Sequence, residues 1–267
     1  MAVGPLRSHA KEPVVEVHHL STRFGATVVH EDISLTIYRG ELFAVIGASG
    51  SGKTTLLREM IHLQRPDAGS IRIFGQETNA MGTTELRRLR RRCGVLFQEG
   101  ALFSALTVAE NAAVPLREYT GLSGRLIQEL ALIKIALTGL PPESARKYPD
   151  ELSTGMRKRA ALARAIALDP ELLFLDEPTA GLDPISAGGL DALIQHLKAW
   201  LGLTIVMVTH DLDTLWRVAD RVAMLGEGRI LAIGTMAELA RSKEPLIQAF
   251  FQGRRGVKVK ERRWNQK

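Results

Sequence analysis

The run GASGSGKTT at residues 47–55 matches the pattern G-x-x-x-x-G-K-[ST] without a mismatch. Gly47, Gly50 and Gly52 carry no Cβ, so the backbone can wrap a polyphosphate and converge its amides on the oxygens. Lys53 supplies a point charge between the β- and γ-phosphates, and the Thr54 hydroxyl is placed to complete the shell of a Mg²⁺ ion. Together with Ser49, Ser51 and Thr55 these residues form a site for a nucleoside triphosphate. The flanks suit the chemistry: residues 42–46 are apolar and β-prone and residues 56–63 are helix-prone, so the loop opens a helix whose dipole favours an anion.

A second chemical site follows residues 172–175, which lead into Asp176 and Glu177. A carboxylate at the carboxyl end of a buried strand faces the crevice where open α/β sheets bind ligands. There Asp176 would hold Mg²⁺ through water, and Glu177 would polarise an attacking water as general base, a role worth roughly 10²- to 10⁴-fold in rate. Two acids capping the next helix are the plainer reading. Asp183 before Pro184 has the form of an N-cap and N1 pair. In LSTGM, residues 152–156, Ser153 occupies an N-cap position. Met156 stands where a capping box needs Glu or Gln, which leaves the first amides free for an anion or leaves Ser153 as a simple cap.

The elements that must position these groups read as an α/β chain. Residues 14–17 and 33–37 alternate as strands, and short apolar runs recur at 42–46, 71–74, 95–97, 172–175, 205–208 and 221–225, mostly separated by helical stretches. This predicts a mainly parallel sheet with an antiparallel β-region near the N-terminus. Between residues 109 and 168 the strand signal vanishes, which predicts a helical subdomain inserted into the core.

Composition is ordinarily globular, at 45% apolar and 24% charged over 267 residues. No apolar run approaches the roughly 20 residues of a membrane-spanning helix, and the first eleven residues lack a secretory apolar stretch, so a soluble, unexported chain is expected. The lone Cys93 excludes an internal disulfide and reads as a small buried hydrophobe. The net charge of +6 is concentrated in residues 251–267, where seven basic side chains face one acid, so the body is close to neutral. That tail reads as a solvated end, as an attachment to anionic headgroups, or as a dock on a neighbouring subunit anchored by Phe250, Phe251 and Trp264. A run of arginines, Arg87, Arg88, Arg90, Arg91 and Arg92, reads as a solvated helix face.

Taken in order, GASGSGKTT, Gln98, LSTGM, LLFLDE, Gly181-Leu182-Asp183 and His210 resemble the ATP-binding subunit of an ABC transporter over residues 14–239. The resemblance implies a P-loop NTPase fold with a RecA-like core over residues 13–97 and 166–241, a helical subdomain over 98–165 and a basic extension over 242–267. It implies a homodimer that clamps two ATP molecules, each between one chain's phosphate loop and the other's Ser153 and Gly155. It further implies that His210 contacts the γ-phosphate and that Gln98 joins the Mg²⁺ and water network and relays to the membrane subunit. Asp183 would couple the two sites, and Phe24 would lie under adenine. The signature departs from the commoner LSGGQ at Thr154 and Met156, which predicts a working but slower ATPase.

Residues 96–120 and 155–170 narrow the resemblance to the ATPase of Mla-type transporters, which move phospholipid between bacterial inner and outer membranes. The partners so implied are a permease dimer, an MCE-domain lipid-binding protein and a small STAS-domain subunit. The implied location is the cytoplasmic face of the inner membrane, as a peripheral subunit. A related MCE system moving another hydrophobic substrate is the alternative. Soluble ABC ATPases of translation and DNA repair fit less well: only 99 residues separate Lys53 from Ser153, without sustained heptads.

Overall fold

The computed structural model describes residues 12–252. Strands β1 (Pro13–Phe24) and β2 (Thr27–Tyr38) come first, then β3 (Leu42–Ile46), helix α1 (Lys53–Met60), β4 (Ala68–Ile73), β5 (Gln76–Glu77), α2 (Thr83–Arg91) and β6 (Cys93–Leu96). Three helices follow, α3 (Val108–Tyr119), α4 (Gly124–Leu137) and α5 (Thr154–Ala165). The chain then returns through β7 (Leu172–Asp176), α6 (Pro184–Leu201), β8 (Thr204–Val208), α7 (Leu212–Val218), β9 (Arg221–Gly226), β10 (Arg229–Gly234), α8 (Met236–Leu239) and α9 (Pro245–Gln252).

Two sheets result. One is antiparallel with the order β2-β1-β4-β5, and the other runs β10-β9-β3-β8-β7-β6. In the second, β9, β3, β8, β7 and β6 are parallel and only β10 is antiparallel. Strands β3, β7 and β8 are buried at all five positions, as expected of central parallel strands covered on both faces. The expected α/β architecture, with an N-terminal antiparallel sheet, a mostly parallel main sheet and a helical segment between β6 and β7, is the one observed.

Apolar packing divides along the same lines. Val15, Ile33, Ile37 and Ile71 from the antiparallel sheet meet Leu57 of α1 and Phe43, Phe174 and Val206 of the main sheet in one core. Leu162, Leu190, Ile194 and Leu197 cover the opposite side of the main sheet, against Leu173, Ile205 and Met207. Helices α3 to α5 share a cluster of their own, built on Val108, Ala112, Ile135, Leu152 and Ala160. The helix α6 is bounded by its sequence: Asp183 Oδ1 accepts from the amides of Ile185 and Ser186, each at 3.0 Å, Pro184 fills N1, and Gly202 closes it at φ 65°.

Several local readings change. The arginines of residues 87–92 are not all solvated: Arg92, just past α2, donates to Glu171 at 2.6 Å and lies 3.6 Å over the Phe74 ring, and Arg87 donates to the Glu118 carbonyl. An arginine stem can cover apolar surface while its head finds a carboxylate, so a charge run alone does not mark solvent. Phe250 and Phe251 pack against this chain's own cluster around Leu215, Met224 and Ile247, which seats α9 on α7 and β9 and spends those anchors within the chain. The remainder of the basic extension, including Trp264, lies outside the described residues.

Candidate functional site

The phosphate loop leaves β3 at its carboxyl end and enters α1. Gly47 has φ 154°, and a Cβ there would fall 2.3 Å from the Leu225 carbonyl oxygen, so only glycine lets the loop press against β9. Gly50 and Gly52 have φ 78° and 95°, both left-handed. Lys53, at the first position of α1, folds back so that its ammonium donates to the carbonyls of Gly47 at 3.0 Å and Ala48 at 2.7 Å. Burial holds its pKa below the usual lysine range, opposed by the charges of Glu177 and Asp176. The ammonium is thus poised in the loop's concave face beside the two carboxylates.

Those carboxylates come from β7, next to β8 in the sheet. The Thr54 hydroxyl donates to Asp176 Oδ1 at 3.5 Å. Burial raises the Asp176 pKa and the Glu177 charge raises it further, opposed by Arg58, the Thr54 hydroxyl and Lys158. Among the described residues no group of three or more His, Cys, Asp or Glu side chains is arranged around a metal. One hydroxyl and one carboxylate suit Mg²⁺, which keeps water and phosphate oxygens for its other ligands.

Glu177 itself sits at φ 47°, an unusual conformation for a non-glycine residue, held by its amide donating to the Val208 carbonyl at 2.9 Å. Its Oε1 lies 2.8 Å from His210 Nδ1, which stands just beyond β8. A carboxylate so held can accept a proton from water, and the imidazole keeps Nε2 for a second contact.

Lys158, which the sequence reading overlooked, ties this centre to the helical segment. It is buried on α5 and donates to the carbonyls of Gln98 and, at 3.0 Å, Glu177. Burial lowers its pKa, while Asp176 and Glu177 raise it. Gln98 is exposed and borders a cleft of about 390 Å³ with Thr154, Lys158 and Gly181.

Phe24 ends β1 and is 54% exposed, as a ring that stacks on a ligand must be. Ser153, Thr154 and Asp183 are exposed, and no hydrogen bond or ion pair among the described residues joins them or Gly155 to the phosphate loop. The chain therefore brings together Gly47 to Thr55, Asp176, Glu177 and His210, but leaves Ser153, Gly155 and Asp183 apart. Ser153 Oγ accepts from the Met156 amide at 3.3 Å, so the serine caps α5 even without a capping box, and that amide is not spare.

An ABC transporter family model matches residues 30–180. The intermembrane phospholipid transport system ATP-binding protein MlaF of Escherichia coli (strain K12) is 41% identical over 240 residues, covering 90% of this chain and 89% of the relative. The probable ribonucleotide transport ATP-binding protein mkl of Mycobacterium tuberculosis (strain ATCC 25618 / H37Rv) is 41% identical over 241 residues, 90% of this chain and 67% of the relative. Among solved structures, the dimeric structure of MJ0796, a bacterial ABC transporter cassette, superposes with a TM-score of 0.77 at 29% identity, over 83% of this chain and 98% of that one. A post-hydrolysis state of the same cassette bound to ADP and Pi gives a TM-score of 0.77 at 30% identity over the same shares.

Proposed function

Since the chain belongs to the ABC transporter ATP-binding proteins and hydrolyses ATP, we propose that it powers phospholipid transport between bacterial membranes as an Mla-type ATPase. The observation that carries this reading is the 41% identity to the phospholipid-transport relative across nine-tenths of both chains. The ribonucleotide-transport relative matches as closely in identity but extends well beyond this chain.

In this reading Lys53 and the loop amides bind the ATP phosphates, and Phe24 stacks on adenine. Thr54, Asp176 and Gln98 would hold Mg²⁺, which would supply positive charge against that developing on the phosphates. Glu177 takes the proton of the attacking water, and His210, oriented through Nδ1, turns Nε2 to the γ-phosphate. The exposure of Ser153 and Asp183 supports a site completed by a second copy, as in the dimeric cassette. No helix among the described residues is long and apolar enough to cross a membrane, so a permease dimer would carry the substrate. An apolar groove of about 410 Å³, bordered by Leu63, Leu86, Phe97, Phe103, Pro115 and Tyr119, supports docking of such a subunit on the inner-membrane face. An MCE-domain protein and a STAS-domain subunit complete the assembly.

Affinity purification of the tagged chain from its native membrane, with identification of co-purifying subunits and lipid, tests the reading. A permease and an MCE-domain protein carrying phospholipid are expected. A different hydrophobic cargo on the same partners favours a related MCE system, and recovery without any membrane subunit contradicts transport altogether.

A further inference from the structure

Against the start of α1 lies a buried polar cluster with no part in the chemistry above. His30 on β2 and Glu59 on α1 are both fully buried. Glu59 Oε1 accepts from the Thr22 hydroxyl of β1 at 2.5 Å. Glu59 Oε2 lies 3.1 Å from His30 Nδ1, within ion-pair distance but without hydrogen-bond geometry, and neither atom has a hydrogen-bond partner among the described residues. The other ring nitrogen, Nε2, lies 3.0 Å from the carbonyl oxygen of Gly52.

A carbonyl oxygen only accepts, so Nε2 must carry a hydrogen, and that N–H is directed at Gly52.

Gly52 is the residue from which α1 starts, and its carbonyl also accepts the first helical hydrogen bond from Leu56 at 2.9 Å. In a trans peptide the carbonyl and the following N–H point in opposite directions. A hydrogen bond that pins the Gly52 carbonyl toward His30 therefore turns the Lys53 amide the other way, into the cradle where phosphate binds. A Cβ at position 52 would lie 2.6 Å from His30 Nε2, so the glycine and the histidine fit only as a pair.

We propose that His30, packed against Glu59, is a positioning residue that presets the phosphate loop for nucleotide by holding the Gly52 carbonyl. The proposal rests on ATP binding at residues 47–55. An apolar pair of similar volume would fill the same space at no desolvation cost, so packing alone does not account for three buried polar side chains in series.

The full-length chain tests this by calorimetric titration with Mg-ADP and by steady-state ATPase kinetics. His30→Leu should raise the Kd for Mg-ADP and the KM for ATP about tenfold, the worth of one strong hydrogen bond, with kcat within about twofold. His30→Gln, whose amide reaches the same carbonyl, should restore both to within about threefold. Wild-type affinity and KM in His30→Leu overturn the proposal, as does equal weakening in both variants, which would mark the histidine as packing. Should His30→Leu fail to fold, nitrogen-15 imidazole spectra of the wild-type chain decide. Nε2 must be protonated and its signal must move on adding Mg-ADP, and an unprotonated or unmoved Nε2 contradicts the proposal. Absence of binding by the wild-type chain would instead sink the nucleotide-site reading itself.

Discussion

Lys158→Met tests whether the helical segment holds the catalytic carboxylate in place. The substitution keeps the length and apolar stem of a side chain that is 3% exposed, and removes only the ammonium. Two main-chain carbonyls, those of Gln98 and Glu177, then lose their donor. Hydrogen bonds from a charged group contribute about 1.5–3 kcal/mol each, or about 3–6 kcal/mol for two. Part of this is returned, because burial already disfavours the charged lysine. A net destabilisation of about 2–3 kcal/mol remains, and at about 2–4 °C per kcal/mol for a chain of this size the melting temperature should fall by roughly 4–12 °C. The second effect is catalytic. Glu177 sits at φ 47°, a conformation that its neighbours must impose, and freeing its carbonyl lets the carboxylate drift from its aim. We expect kcat to fall by about tenfold or more, since small misplacements of a reacting group are costly. Nucleotide affinity should change by less than about threefold, because Lys158 makes no hydrogen bond to the phosphate loop. Thermal unfolding and ATP-dependent steady-state kinetics read both effects. A variant that melts and turns over like the wild type would refute the clamp.

Further tests address other parts of the site. Glu177→Gln should bind ATP yet turn over at least about a hundredfold more slowly, the loss expected for a general base, as measured by phosphate release. Gly47→Ala should abolish ATP retention on a filter, because its methyl would sit 2.3 Å from a backbone oxygen that cannot yield. Asp176 has a folded-state pKa above its unfolded value, so its ionisation costs stability once the pH exceeds the unfolded pKa, and that cost fades as pH falls. Asp176→Asn should therefore raise the melting temperature at neutral pH while Mg²⁺-dependent hydrolysis is lost, and a lowered melting temperature would contradict the reasoning. The Cys93 thiol is pushed up to about 12, so an alkylating reagent at pH 8 should leave it unmodified in the native chain and label it after denaturation.

The sequence disclosed the chemistry that is local and hid the chemistry that is assembled. The phosphate loop was legible because its glycines, lysine and threonine are consecutive, and β3, β7 and β8 because a strand buried on both faces must be apolar throughout. The full lengths of β1 and β2 were not, since their outer stretches mix exposed His19, Arg23 and Thr27 with buried polar Thr22 and His30, and bulges at residues 17–20 break the alternation. The half-exposed β10 was missed although its residues 230–233 form a short apolar run. Lys158 was invisible for another reason: its partners are main-chain carbonyls 60 and 19 residues away, which no side-chain pattern announces. Ser153 and Asp183 were readable as caps, and both are, while their proposed work on ATP belongs to a surface that only a second copy completes.

That second copy gives the most direct test of the central claim, that ATP is held between two chains. The molar mass of Glu177→Gln should be measured by light scattering, first without nucleotide and then with Mg-ATP. The account predicts the 29.3 kDa monomer in the first case and a doubled mass in the second, with the doubling lost when Ser153→Arg is added. A chain that binds ATP and stays at 29.3 kDa, or that pairs as well with Ser153→Arg, would contradict it.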